Sequence, residues 1–249
     1  ERCHIVMPPA CENGTVAFGF RKPSMSRFLL SDYQESGRFM QFIDVKSETA
    51  EVSNLLSPFE EELLHLKHDK KLEEFFKVAV QQRLNICMVG GTGSGKTTFT
   101  KAVADLVPTS ERIITIEDTH LALPNHPNRL HLFYKEKITA KEVLASCMRL
   151  KPDRIFLTEL RGDEAWDYLS ALNTGHQGGL TSVHANDARS VFYRIAQLAK
   201  ESKAGAGMDY EYILNIVRST IDVVCFFERT YLKELYYDPL MKRQAMAGR

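Results

Sequence analysis

The chain has few of the residues and segments that mark specialised protein classes. Its 249 residues include only 14 glycines and 9 prolines, too few for a collagen-like or low-complexity chain. No uncharged apolar run reaches the roughly 18–20 residues that a membrane-spanning helix needs. No Cys-x-x-Cys pair occurs, so a cysteine zinc site is not expected. The five cysteines are scattered along the chain: Cys3, Cys11, Cys87, Cys147 and Cys225.

An excess of charge of one sign is also lacking. The 32 Lys and Arg residues balance 32 Asp and Glu residues, so no global basic field attracts nucleic acid or an anionic membrane. An odd number of scattered cysteines favours reduced thiols and a cytoplasmic location. With 44% hydrophobic and 26% charged residues, the composition predicts a globular protein that buries a sizeable core.

The N-terminal part differs in pattern from the rest. Residues 1–24 contain two predicted strands, Cys3–Met7 and Thr15–Arg21. Two strands alone are marginally stable, and the chain starts at Glu1 without a signal-like segment, so we expect an upstream part to complete this N-terminal domain. Residues 25–57 show no sustained period and predict a long interdomain linker with at most a short helix.

Residues 58–249 predict an α/β domain, because short apolar strands alternate with helical stretches and imply a mostly parallel, buried sheet. The predicted strands are Leu84–Val89, Ile113–Glu117, Leu130–Phe133, Ile155–Glu159, Leu180–Val183, Ile221–Glu228 and Tyr231–Tyr237. The last two are expected to form a hairpin at the sheet edge. Helices are predicted to follow Gly95, Thr139, Gly162, Asp187 and Asp209.

The strongest motif is a phosphate-binding loop. Residues 90–97 read Gly-Gly-Thr-Gly-Ser-Gly-Lys-Thr, which fits G-x-x-x-x-G-K-[ST], between an apolar strand and a helical run. Glycines let backbone N–H groups surround phosphate oxygens, Lys96 can reach the β- and γ-phosphates, and the Thr97 hydroxyl can ligate Mg²⁺. The predicted nucleotide-binding residues are Gly91, Thr92, Gly93, Ser94, Gly95, Lys96, Thr97 and Thr98. ATP and Mg²⁺ are the expected ligands.

Two of the predicted strands end in carboxylates. Glu117 and Asp118 follow one apolar strand and Glu159 follows another, and parallel strands bring such ends to one edge of the sheet. We assign Glu159 as the base that orients the attacking water. Glu117 is expected to act on the metal hydration shell or on the same water, with Asp118 in support. The alternative is a set of surface acids without a catalytic role.

A glycine-rich turn and a short strand carry two histidines, His176 and His184. Two histidines eight residues apart without a cysteine nearby are a poor zinc pattern, so no zinc is expected. His184 at a strand end can sense the γ-phosphate or link neighbouring sites, and a purely structural hydrogen bond is its alternative role. Arg161 lies just after Glu159 and is counted among the candidate catalytic residues.

Four motifs in this order resemble the hexameric traffic ATPases of bacterial type II and type IV secretion and type IV pilus systems. They are the Walker A run at 90–97, an acidic box at 113–118, a Walker B segment at 157–165 and a histidine box at 175–186. The resemblance covers roughly residues 58–235 and is greatest to the type IV secretion system ATPase. It implies a RecA-like P-loop NTPase domain that hydrolyses ATP to power substrate export or pilus assembly.

The resemblance also implies an assembly. Family members form homohexamers that work with inner-membrane components of a secretion apparatus, so we expect a cytoplasmic protein, peripheral at that membrane. Arg2 and Arg21 match the family's nucleotide-facing arginines, with solvated strand-end charges as the alternative. The longer connector at 25–57 departs from the shortest family members. The basic residues Lys242, Arg243 and Arg249 could touch a membrane or partner, or remain solvated.

Other functions stay open at this point. A pilus assembly or retraction motor, or a type II secretion ATPase, would use the same motifs. A nucleotide-gated scaffold would bind ATP through the same phosphate loop but would hydrolyse it very slowly. A small-molecule P-loop kinase would need an arginine-rich lid, and no such cluster follows the loop. A sequence-specific nucleic-acid partner is not expected, because no basic stripe is present.

Overall fold

The computed structural model describes residues 2–21, 27–46, 56–118, 120–121, 123, 125–135 and 137–247. The strands are β1 (Arg2–Val6), β2 (Ala17–Arg21), β3 (Ile43–Val45), β4 (Ile86–Val89), β5 (Ile113–Glu117), β6 (Arg129–Phe133), β7 (Arg154–Leu157), β8 (Leu180–Val183), β9 (Val223–Glu228) and β10 (Tyr231–Tyr237). The α-helices are α1 (Leu30–Glu35), α2 (Pro58–His68), α3 (Leu72–Gln81), α4 (Lys96–Ala104), α5 (Ala140–Cys147), α6 (Glu164–Asn173), α7 (Ser190–Glu201), α8 (Tyr210–Thr220) and α9 (Pro239–Ala247).

Eight strands form one sheet in the order β3-β10-β9-β4-β8-β7-β5-β6. All neighbouring pairs are parallel except β9 and β10, which form an antiparallel hairpin. Every residue of β4, β5, β7 and β8 is buried, as expected for parallel strands covered on both faces. The predicted α/β fold with a mostly parallel sheet is confirmed.

Helices cover both faces of this sheet, and strand alternation decides which side chain meets which layer. Ile114 and Ile116 of β5 pack with the apolar residues of α5, α6, α7 and α8. Ile113 of the same strand packs on the opposite face with those of α3 and α4. The helix that follows the phosphate loop therefore lies on the face towards which Thr115 and Glu117 point.

Part of the predicted linker belongs to this domain, which corrects the prediction. Tyr33 of α1 stacks on Phe39 and meets the edge of Phe99 in α4, each at 5.3 Å between ring centroids, and all three are buried. β3 pairs with β10 in parallel. The hairpin of β9 and β10 is therefore not at the edge, because β3 occupies that position. The other proposed boundaries, residues 1–24 and 58–249, stay predictions.

The N-terminal strands β1 and β2 form a separate two-stranded antiparallel sheet in which Arg2 lies opposite Arg21. Its large apolar side chains Ile5, Phe18 and Phe20 are more than half exposed. None of the helices among the described residues is long and apolar enough to span a bilayer.

The C-terminal helix α9 is a feature that the sequence patterns missed. Its Lys242 pairs with the buried Asp222, and its Arg243 pairs with Glu60 at the start of α2. These two cations therefore tie the last helix to the domain, so the expectation that they are merely solvated charges is wrong for both. Arg249 lies outside the described residues.

A buried arginine generates a stability prediction. Arg154 is 1% exposed, and its Nε donates to Glu111 at 2.6 Å while its Nη2 donates to the carbonyl of Val80 at 2.8 Å. Removing this side chain leaves a cavity and deprives the Val80 carbonyl of its buried donor, while Glu111 keeps only the more exposed Arg83. We expect Arg154→Ala to lower the free energy of unfolding by about 3–5 kcal/mol, measured by urea denaturation.

The matched control is Arg83, which donates to the same Glu111 at 3.0 Å but is 38% exposed. Arg83→Ala should cost less than about 1 kcal/mol, because water replaces an exposed partner. Equal losses for the two variants would contradict the role of burial.

Candidate functional site

The phosphate loop joins the carboxyl end of β4 to the first turn of α4. Gly90, Gly93 and Gly95 have φ of 141°, 78° and 93°, values that favour glycine over any residue with a Cβ. Gly95 is the N-cap of α4, so the positive end of that helix faces the loop. The structure therefore has the predicted order of strand, phosphate loop and helix.

The loop has room for a phosphate chain. Cβ atoms placed on Gly91 or Gly93 would have no other atom within 4 Å, and the Ser94 hydroxyl is buried without a hydrogen-bond partner among the described residues. The Lys96 ammonium donates to the carbonyls of Gly90 at 2.6 Å and Gly91 at 2.9 Å. The residues present thus fit the triphosphate of a nucleotide, with Lys96 folded over the cradle.

Glu159 lies two residues beyond the end of β7 and contacts two cationic or basic side chains. His184, at the end of β8, places Nε2 3.1 Å from one carboxylate oxygen, and Arg161 donates to the other. Arg161 also lies 3.3 Å from the carboxylate of Asp118 at the end of β5. The ends of three neighbouring strands are therefore linked by one chain of polar contacts, which we call the strand-tip network: His184, Glu159, Arg161 and Asp118.

The electrostatics of this network favour full ionisation of the arginine. The hydrogen bond to Glu159 raises the pKa of Arg161 above its usual value, and Asp118 acts in the same direction. Tyr134 lies nearby, and its pKa is raised to about 12, first by burial and then by Asp118. Arg161 thus remains charged over the whole physiological range and keeps the three strand ends together.

Glu117 lies apart from the strand-tip network although it precedes Asp118 in the chain. It is fully buried and accepts hydrogen bonds from the Thr115 hydroxyl and the backbone N–H of Leu121. One oxygen lies 2.7 Å from Nδ1 of His131 on β6. Burial and Arg27 lower the pKa of Lys101 in α4, and Glu117 partly offsets them. Glu117 thus faces the layer that contains the helix of the phosphate loop.

The predicted site residues therefore divide into groups. The structure joins Glu159, Arg161, His184 and Asp118, and it places Glu117 on the α4 side with different partners. Thr97 and Thr98 begin α4, and Thr97 is exposed. Arg2 and Arg21 lie on the facing strands β1 and β2, but their side chains lie outside the described part of the chain, so their predicted role remains a prediction.

Sequence reasoning missed His131 and Thr115 as partners of Glu117. Both contacts depend on β6 lying beside β5, where His131 is opposite Thr115 in register. A signal was present in the alternation along β5, because Thr115 and Glu117 share one face of the strand. Two polar side chains on a face that is otherwise buried indicate a polar partner on the next strand.

Comparison with known proteins agrees with this geometry. Residues 57–226 match the family described as type II/IV secretion system protein. The type IV secretion system protein VirB11 of Brucella suis is 41% identical over 98% of this chain and 70% of its own length. VirB11 of Bartonella henselae is 38% identical over the whole of this chain and 74% of its own.

A solved structure gives the same picture. The crystal structure of the VirB11 ATPase of the Brucella suis type IV secretion system, in complex with sulphate, superimposes with a TM-score of 0.74 at 40% identity. The match covers 99% of this chain and 73% of that one. The N-terminal sheet and the eight-stranded sheet are thus both included in the likeness.

The backbone of the phosphate loop generates a prediction of its own. A Cβ on Gly90 would stand 2.2 Å from the carbonyl oxygen of Phe227 in β9, in addition to the unfavourable φ. We expect Gly90→Ala to lower the free energy of unfolding by at least about 2 kcal/mol, from strain and overpacking together. Gly91→Ala is the control, because its φ is ordinary and its Cβ meets nothing. A urea titration that finds the same stability for both variants would contradict the prediction.

Proposed function

Because this chain belongs to the type II/IV secretion system protein family, and is a secretion ATPase related to VirB11, we propose that it acts as a Mg²⁺-dependent homohexameric motor at the inner membrane. The observation that carries the proposal is the meeting of a phosphate loop with the strand-tip network at one sheet edge. The relatives' type IV secretion systems indicate the task, which is substrate export or pilus assembly. Partners would be inner-membrane components of such a system, with the protein on the cytoplasmic side.

ATP would bind with its phosphates in the loop. The backbone N–H groups of residues 91–97 and the Lys96 ammonium would hold the β- and γ-phosphates. In the present arrangement Lys96 donates to two loop carbonyls, and a phosphate offers this cation a charged acceptor instead of neutral ones. Charge-assisted hydrogen bonds are about twice as strong, so the lysine is expected to turn to the nucleotide.

Mg²⁺ would lie beside Thr97, because the Ser or Thr at this position of a phosphate loop supplies a hydroxyl ligand to the ion. When bound, the ion neutralises phosphate charge and orders water around it. Glu117 and Asp118 would act through that water shell, Glu117 from the α4 side and Asp118 from the side of Arg161. Oxygen ligands at a strand edge suit Mg²⁺, which binds proteins through few carboxylates and keeps several waters.

Glu159 would orient the attacking water, and its present contacts suggest how turnover depends on occupancy. Arg161 and His184 engage both of its carboxylate oxygens. A γ-phosphate near these two side chains competes for their contacts and leaves a carboxylate oxygen available for water. Arg161 and His184 would then act as positioning residues that couple hydrolysis to nucleotide binding.

Arginines supplied by another domain would complete the site. Arg2 and Arg21 sit opposite each other on β1 and β2, so a movement of that sheet would carry both residues together. Such a trans-acting arginine can be worth about 10³–10⁵ in rate. In a ring, closure of this sheet over the nucleotide would convert binding into motion.

The first test is Glu159→Gln. The change removes the carboxylate charge but keeps shape, so ATP binding should stay within about threefold while the rate of phosphate release falls by about 10²–10⁴-fold. Isothermal titration calorimetry and a phosphate-release assay measure the two quantities. Glu201→Gln, at the exposed end of α7, is the control and should leave both unchanged. Near-normal turnover in the Glu159→Gln variant would refute the role of Glu159.

The second test is assembly. Native mass measurement of the chain with and without ATP and Mg²⁺ is expected to show a hexamer in the presence of nucleotide, together with phosphate release. A hexamer without measurable turnover would instead favour a nucleotide-gated scaffold. A stable monomer under all conditions would overturn the proposed motor.

A further inference from the structure

A second group of side chains near the same edge has the composition of a transition-metal site. Glu117, His120 and His131 each offer one ligand atom, and these atoms lie within 4.8 Å of one another. Nδ1 of His131 is 2.7 Å from one oxygen of Glu117, and Nδ1 of His120 is 3.6 Å from the other. The two imidazole rings meet edge to face at 4.5 Å between centroids.

These distances suit a single ion. Ligands of tetrahedral Zn²⁺ at roughly 2.0–2.1 Å from the metal stand about 3.3 Å apart. The two histidines approach different oxygens of Glu117, and the three ligand atoms lie within 4.8 Å of one another, so binding one ion requires only a small closing movement. Two histidines with one glutamate form a donor set known for zinc, and imidazole also suits cobalt and nickel. The cysteine-based and His176–His184 patterns predicted no zinc, but this set combines residues from two strands and a loop.

The burial of the three ligands is graded in a way that allows an ion to enter. The side chain of Glu117 is fully buried, that of His131 is 15% exposed and that of His120 is 55% exposed. Glu117 is already oriented by Thr115 and by the N–H of Leu121, which is the kind of outer hydrogen bonding that fixes a metal ligand. The exposed side at His120 leaves a position for water as fourth ligand.

We propose that Glu117, His120 and His131 bind one divalent first-row transition ion, with Zn²⁺ as the best fit, at a second site that shares Glu117 with the proposed Mg²⁺–nucleotide site. The role of Glu117 at the nucleotide site rests on its proposed function in hydrolysis. An ion held by the two histidines keeps this carboxylate on the side of β6. The metal thereby inhibits ATP hydrolysis without displacing the nucleotide.

Binding is tested first, with Co²⁺ as a spectroscopic probe of the metal-free full chain and no nucleotide present. We expect visible absorption of four-coordinate Co²⁺ that saturates at one ion per chain and is displaced by Zn²⁺. His120→Ala and His131→Gln should each weaken Co²⁺ binding at least about tenfold. His68→Ala is the control, because His68 is an exposed helix histidine beside a carboxylate, Asp69, and it should not change binding.

A six-coordinate spectrum, or equal affinity in the parent and the His120→Ala variant, would overturn the site. This readout needs no ATP hydrolysis, so it stands even if the motor proposal fails. Far-ultraviolet circular dichroism of each variant confirms folding, and His120→Ala, at an exposed loop position, keeps the test valid if His131→Gln does not fold.

Inhibition is tested second, by phosphate release at saturating Mg²⁺ with increasing Zn²⁺. We expect at least a tenfold loss of rate in the parent and in His68→Ala, and a loss of less than about twofold in His120→Ala at the same Zn²⁺ concentration. ATP affinity should stay unchanged. Equal inhibition of the parent and His120→Ala would overturn the capture of Glu117 by the metal.

Discussion

The parallel pairing of β4 with β8 and β9 is the constraint on which the site depends. Asn85, just before β4, is buried, and its side-chain oxygen accepts from the N–H groups of Gly178 and Gly179 at 2.9 and 3.0 Å. Its side-chain N–H donates to the carbonyl of Thr220 at 2.7 Å. One amide thus aligns the starts of three strands, and since the strands run in parallel, their carboxyl ends also stay in line. This alignment places the phosphate loop, which follows β4, next to His184, which follows β8.

Two acidic residues that are adjacent in sequence lie in different surroundings in the structure. Glu117 and Asp118 are consecutive, yet the first is buried on the α4 side and the second meets Arg161. Because successive side chains of a strand point to opposite faces, one acidic pair at the end of β5 serves two different environments. The acidic box is therefore best understood as two functional groups, of which Glu117 has the stricter packing requirement.

Local sequence was sufficient for the parts of the fold that repeat a strong pattern. The strands β5, β8 and β10 follow from apolar runs, and the phosphate loop follows from its glycine spacing. β3 could not be predicted in this way, because its three residues include the exposed Ile43 and it exists only through pairing with β10. α9 is attached by two ion pairs, and one of them, between Arg243 and Glu60, joins residues 183 positions apart in the chain. Contacts of this kind require the tertiary structure.

The same limit applies to the site. Glu159, Lys96 and the loop glycines carry their chemistry in a short motif, so the sequence identifies them directly. The contact between Glu117 and His131 depends on which strand lies beside β5, and no local pattern contains that information. The link between Arg161 and Asp118 likewise requires β7 and β5 to be adjacent. Site residues were thus predictable where a single segment supplies the chemistry. Contacts between side chains of two different segments were not predictable.

Charge balance at the sheet edge gives the last constraint. Among the described residues of the site, three carboxylates, Glu117, Asp118 and Glu159, are set against two permanent cations, Lys96 and Arg161. Arg161 contacts Asp118 and Glu159, and the set as a whole has a small excess of negative charge without a nucleotide. A bound triphosphate adds several negative charges to the same small volume, and like charges at such distances repel strongly. A bound triphosphate therefore calls for positive charge from outside this set, which is the part that the proposal gives to Mg²⁺ and to Arg2 and Arg21. This deficit of positive charge is the physical reason behind the proposed dependence of hydrolysis on Mg²⁺ and on closure of the N-terminal sheet.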